Sequence, residues 1–65
     1  MKTMTIRQVE VAQMLADGLS AREIASELGI ETQSVKNLVR AIRLKVGSPT
    51  TLNAVVILLR QGLIK

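Results

Sequence analysis

The sequence contains no cysteine, no histidine and no aromatic residue, and a single proline. Without cysteine there are no disulfide staples, and without cysteine or histidine the usual zinc ligand sets are missing. Catalysis by a histidine base or a cysteine nucleophile is excluded on the same count. The absence of Phe, Tyr and Trp leaves an aliphatic core. It also removes the stacking platforms on which single-stranded nucleic acids and RNA loops are held. Long apolar runs are missing too. The most apolar stretch, Ala54 to Leu59, is bracketed by Asn53 and Arg60, whereas a membrane span needs about 20 apolar residues. Met1 to Met4 are followed by Arg7 and Glu10 rather than by the apolar segment of a secretory signal. These features fit a reducing cytoplasm. No paired catalytic acids, nucleophile–base set, metal cluster or glycine-rich phosphate loop is found. Neither an enzyme nor a cofactor is expected.

Acid is missing from one half of the chain. Residues 1–31 hold Lys2, Arg7 and Arg22 against Glu10, Asp17, Glu23, Glu27 and Glu31, a balance of −2. Residues 32–65 hold Lys36, Arg40, Arg43, Lys45, Arg60 and Lys65 and no acid, a balance of +6 within a net charge of +4. Such segregation directs the second half toward a polyanion.

With 65 residues the chain suffices for one domain, and its punctuation divides it into four helices. The first follows Thr5, a helix N-cap, carries Val9, Val11, Ala12, Met14, Leu15 and Ala16, and stops at Asp17-Gly18. The second opens with Ser20-Ala-Arg-Glu23, the S-x-x-E pattern in which cap hydroxyl and carboxylate satisfy each other's backbone N–H groups. Ile24, Ala25 and Leu28 line one of its faces, and Gly29 ends it. The third begins near Thr32, itself a candidate cap. Val35, Leu38, Val39, Ile42 and Val46 form one apolar stripe on it, at i, i+3, i+4, i+7 and i+11. Gln33, Lys36, Asn37, Arg40 and Arg43 cluster opposite, with Leu44 at the edge of that polar face. Gly47-Ser48-Pro49 closes it, since the residue before proline disfavours helical geometry. The last helix runs from about Thr51 to Gln61 under a Thr50 cap. It carries two apolar stripes, one of Ala54, Val55 and Leu58, the other of Leu52, Val56 and Leu59.

A short helix, a glycine turn and a longer helix with a basic polar face make a helix-turn-helix pattern in an all-α, four-helix domain. In such units the second helix enters the major groove and the first crosses the backbone. The recognition helix is then about 32–46. Lys36 and Arg40 are long donors suited to guanine O6 and N7, and Asn37 matches the N6 and N7 edge of adenine. Arg43 and Lys45 are expected to hold the DNA backbone.

The ordered pieces Thr5-x-Arg7-x-x-Glu10-Val11, Met14-Leu15-Ala16-x-Gly18-Leu19-Ser20, Glu23-Ile24-Ala25-x-x-Leu28-Gly29-Ile30, Ser34-Val35-Lys36-Asn37, Ala54-Val55 and Gly62-Leu63-Ile64 resemble the LuxR/GerE-type helix-turn-helix domain. The likeness runs from Met4 to Ile64. It implies a four-helix transcription-factor domain that binds double-stranded DNA, commonly as a homodimer on an inverted repeat. It assigns base contacts to Lys36, Asn37 and Arg40, and phosphate contacts around Ser20, Arg22 and Ser34, with Gln33 and Arg43 alongside. Ala54, Val55 and Leu58 then face inward, and Leu52, Val56 and Leu59 form the dimer stripe. The chain departs from the family pattern at Gln8, where Glu is frequent, at Glu31, where Ser is, and at Leu38, where His is. The Ser48-Pro49 linker is also unusual. Most members carry a sensor or receiver domain as well. None is present in this sequence, so the chain is expected to be a stand-alone regulator or an excised piece, its Met1-Lys2 start favouring the former. The alternative is a protein-interaction module that docks its apolar last helix on another regulator or on RNA polymerase.

Overall fold

The computed structural model describes residues 3–65, and Met1 and Lys2 lie outside that range. Four helices follow one another: α1 (Ile6–Ala16), α2 (Ala21–Leu28), α3 (Thr32–Val46) and α4 (Thr51–Arg60). Among the described residues there is no strand, and no single helix is long and apolar enough to cross a membrane. The expected all-α, four-helix architecture is what the chain adopts.

Three of the four helix starts are capped by a side chain. Thr5 sits in extended geometry, its Oγ1 accepts the Gln8 N–H at 3.1 Å, and Gln8 Oε1 accepts the Thr5 N–H at 3.0 Å. This is the same reciprocal cap that Ser20 and Glu23 form on α2, at 3.2 and 2.9 Å. On α1 glutamine takes the acid's place and does the same work. On α4 the Thr50 hydroxyl accepts the Asn53 N–H at 3.1 Å. The unusual linker also has a reason, because Ser48 Oγ accepts the Thr50 N–H at 3.3 Å and folds the turn that presents this cap.

Helix α3 starts at Thr32 as expected, but its cap differs from expectation. Its N-cap is Glu31, which makes no side-chain cap bond, and Thr32 is already the first helical residue. The Glu31 carbonyl takes the Val35 N–H at 3.2 Å, so the helix begins as soon as the turn allows. Gly29 and Gly47, at φ +66° and +76°, are the left-handed residues that end α2 and α3.

Packing is centred on α3, which touches each of the other three helices. Val35 and Ile42 meet Val11 and Ala12 of α1, Ile24 and Ala25 of α2, and Val55 and Leu58 of α4 in one aliphatic cluster. Ala54 is buried as well, so the inward stripe of α4 is the expected one. Val46, expected in the core, is half-buried at its margin, as is Leu38. Truncating Ile42 or Leu58 to alanine removes about 2–5 kcal/mol. That is a large share of the roughly 3–10 kcal/mol available to a domain this small.

Two polar ties bind the chain ends to this core. Gln13 donates to the Lys65 carbonyl and accepts the Lys65 N–H, both at 2.8 Å, while Ile64 is buried beside it. At the other end Lys45 Nζ donates to the Thr3 carbonyl and to Oε1 of the buried Gln8, both at 2.8 Å. Lys45 was expected to hold DNA. Its ammonium is instead turned toward the N-terminal segment, where two oxygens satisfy it.

The cap on α2 carries a pH signature. Glu23 is held below the ordinary glutamate range by the Ser20 backbone N–H first and the Ser20 hydroxyl second. A carboxylate with a depressed folded-state value contributes stability that is complete above the unfolded value, about 4.3, and is lost as pH falls through the lower folded value. Thermal melts taken from neutral to acid pH should therefore fall less steeply for Glu23→Gln than for the parent in that window. Parallel curves would show that the carboxylate contributes nothing.

Candidate nucleic-acid interface

Because Val35 and Ile42 turn one side of α3 into the core, the residues about 180° away stand in solvent. At about 100° per residue these are Gln33, Asn37, Arg40 and Leu44, with Lys36 on the flank about 100° from Val35, and each is exposed. The three residues expected to read bases, Lys36, Asn37 and Arg40, thus share one open face. Leu44 lies squarely on that face rather than at its edge, and is 73% exposed.

The face has some internal order. Gln33 Nε2 donates to Asn37 Oδ1 at 3.1 Å, one turn along the helix. This holds the Asn37 amide plane while both of its N–H donors and a second oxygen lone pair stay available.

The residues expected at phosphates surround this face. Ser20 and Arg22 are exposed at the start of α2, and Gln33 and Ser34 are exposed in the first turn of α3. The Ser20 hydroxyl is already engaged with the Glu23 N–H, so its first duty is the cap. Arg43 is half-buried on the flank of α3. Its Nε is shut off from solvent and has no hydrogen-bond partner. Together with Lys36 and Arg40 it lines a cleft of about 300 Å³ that reaches across to Ala21 and Thr51, the first residues of α2 and α4. Nothing in the sequence pattern pointed to Thr51, because its approach to α3 depends on how α4 folds back.

A larger concavity, about 560 Å³, lies on the outward side of α1 between Met4, Ile6, Val9 and Met14, rimmed by Glu10 and Asp17. It contains none of the expected contact residues, and its acidic rim is unsuited to a polyanion.

On α4 the outer stripe is open to solvent at its two ends. Leu52 is 75% and Leu59 41% exposed, whereas Val56 between them is half-buried.

A glycine turn between a short capped helix and a longer one with an exposed basic face defines a helix-turn-helix domain. Residues 2–58 match the family described as bacterial regulatory proteins, luxR family. The chain belongs to that family. Among solved structures it is similar to the transcription factor GerE, at 28% identity and a TM-score of 0.92, over 100% of this chain and 97% of that one. It is also similar to the response regulator ChrA of a heme-sensing two-component system, at 31% identity and a TM-score of 0.91. That match covers 98% of this chain and 32% of the response regulator, so the chain spans about a third of that protein's length. Comparison with curated protein sequences finds no significant match.

Glu31 is the feature of the interface least suited to DNA. Its exposed carboxylate stands at the start of α3 without making a cap, on the side where Ser34 and Gln33 are expected to meet phosphate. Glu31→Ser supplies a hydroxyl cap, worth about 1 kcal/mol, and removes the negative charge. The variant should melt several degrees higher and bind duplex DNA more tightly, read by calorimetry and by fluorescence anisotropy. Unchanged binding by a stable variant would mean that Glu31 faces away from the DNA, and weaker binding that it makes a favourable contact.

Proposed function

We propose that this chain is a sequence-specific, double-stranded-DNA-binding transcription regulator that places α3 in the major groove. The observation that carries the reading is the separation of duties on α3. Val35 and Ile42 are buried, while Lys36, Asn37 and Arg40 stand together in solvent. Burial and recognition therefore do not compete for the same positions. Lys36 and Arg40 donate to guanine or to phosphate, and Asn37, held by Gln33, is set for adenine. Ser20, Arg22, Gln33, Ser34 and Arg43 grip the backbone on either side. The names of the similar structures, a transcription factor and a response regulator, agree with this reading.

The test is a titration against duplex DNA at several salt concentrations. The parent should bind with a steep salt dependence, because each neutralised phosphate releases counterions. The pair Lys36→Ala, Arg40→Ala should lose specific binding by at least tenfold, since one bidentate contact alone is worth roughly 1–3 kcal/mol. Equal binding by parent and double variant would refute the assignment of α3.

The open ends of the α4 stripe support homodimerisation, with Leu52, Val56 and Leu59 meeting their copies across a two-fold axis on an inverted repeat. The two α3 helices then meet half-sites about one helical turn, roughly 34 Å, apart. Leu52→Glu and Leu59→Glu are safe probes because both side chains are exposed. Sedimentation should show the parent as a dimer and each variant shifted toward monomer, with unchanged helicity. A parent that is monomeric both free and on DNA would argue against the dimer. The same stripe on a second regulator or on RNA polymerase is the competing reading, favoured by a stable hetero-complex formed without DNA affinity.

A further inference from the structure

Leu44 is the one side chain on the open face of α3 that can make no hydrogen bond. It is 73% exposed and stands among Gln33, Asn37 and Arg40, which are exposed as well. At about 100° per residue it lies about 180° from the buried Val35, about 20° from Asn37 and about 40° from Arg40. It therefore points where the polar donors point, and it has no share in the aliphatic core.

A single exposed leucine is ordinary on a surface that stays in water. On a helix that docks in a groove it is not, because whatever faces it loses water with it. Against a phosphate or a polar base edge, leucine desolvates oxygen and nitrogen atoms and returns no hydrogen bond, which is costly. The major groove displays one apolar group, the C5-methyl of thymine. Against that methyl both partners gain by leaving water. The reach is suitable too. Asn37 and Leu44 are seven residues apart, about 10.5 Å along the helix axis, or about three base pairs at roughly 3.4 Å each. Recognition helices that lie along the groove read bases over such a span.

We propose that Leu44 reads a thymine through its methyl group and is a specificity-determining residue of α3. The thymine lies about three base pairs from the base that Asn37 meets. The inference rests on the DNA-binding reading, and it names a part of the target sequence that the polar residues leave unread.

The experiment starts from the duplex that the parent selects out of a random pool and replaces each thymine in turn by deoxyuridine, which removes the methyl alone. Parent and Leu44→Ala are titrated against every duplex by fluorescence anisotropy. Alanine keeps the helix propensity and the side chain is exposed, so the variant should fold like the parent, as circular dichroism and melting would show. One thymine should be methyl-dependent in the parent, its replacement weakening binding about fourfold, the effect of one lost methylene-sized apolar contact. Leu44→Ala should bind the original duplex several-fold more weakly than the parent does and make no distinction at that thymine. The two changes should therefore not add, as expected of groups in contact. A selected site without a methyl-dependent thymine, or the same methyl dependence in parent and Leu44→Ala, would overturn the role of Leu44 and leave the DNA-binding reading standing. A parent that binds no duplex even at low salt would remove the DNA-binding reading and this inference with it.

Discussion

The contact of Val35 and Ile42 with the aliphatic cluster governs this small domain. Those two side chains fix the rotation of α3 about its own axis, and that rotation decides which residues stand in solvent. A turn of one residue, about 100°, would bring Lys36 toward the core and swing Val35 into water. The charge is too costly to bury unpaired, so the core and the basic face enforce each other. With no aromatic side chain available, the cluster depends on close fit among isoleucine, valine, leucine and alanine rather than on a few large anchors. Such a core tolerates little loss of volume.

Much of this was legible in the sequence because local chemistry set it. The Ser20–Glu23 cap, the Thr50 cap, the glycine stops and the stripe on α3 depend only on neighbours a few residues apart. Their outcomes match the expectation to within a residue. The same holds for the exposure of Lys36, Asn37 and Arg40, which follows from helical geometry once the stripe is known. The start of α3 falls where the sequence puts it, but its cap does not: threonine is the better cap chemically, yet the turn after Gly29 delivers Glu31 to that position first.

What the sequence did not disclose is contact between distant segments. Lys45 sits in the basic half of the chain and reads as one more cation for DNA. Only the arrival of Gln8 and Thr3 beside it, 37 and 42 residues away, makes it structural. Gln8 has a double use for the same reason. It completes the α1 cap, which is local, and receives the Lys45 ammonium, which is not. Thr51 became a candidate neighbour of the Arg43 cleft only through the path of α4. Leu44 was placed at the margin of the polar face and stands well within it, and the structure gives no packing reason for a leucine there.

The ammonium of Lys45 also couples the N-terminal segment to α3. It links both the backbone at Thr3 and Gln8 of α1 to the last turn of α3. Anything joined ahead of Thr3, whether a purification tag, a fluorescent reporter or another folded unit, is attached beside a hydrogen bond that reaches the last turn of α3. A linker placed there adjoins a segment that shares Lys45 with α3, so its length and stiffness bear on whether that tie is kept.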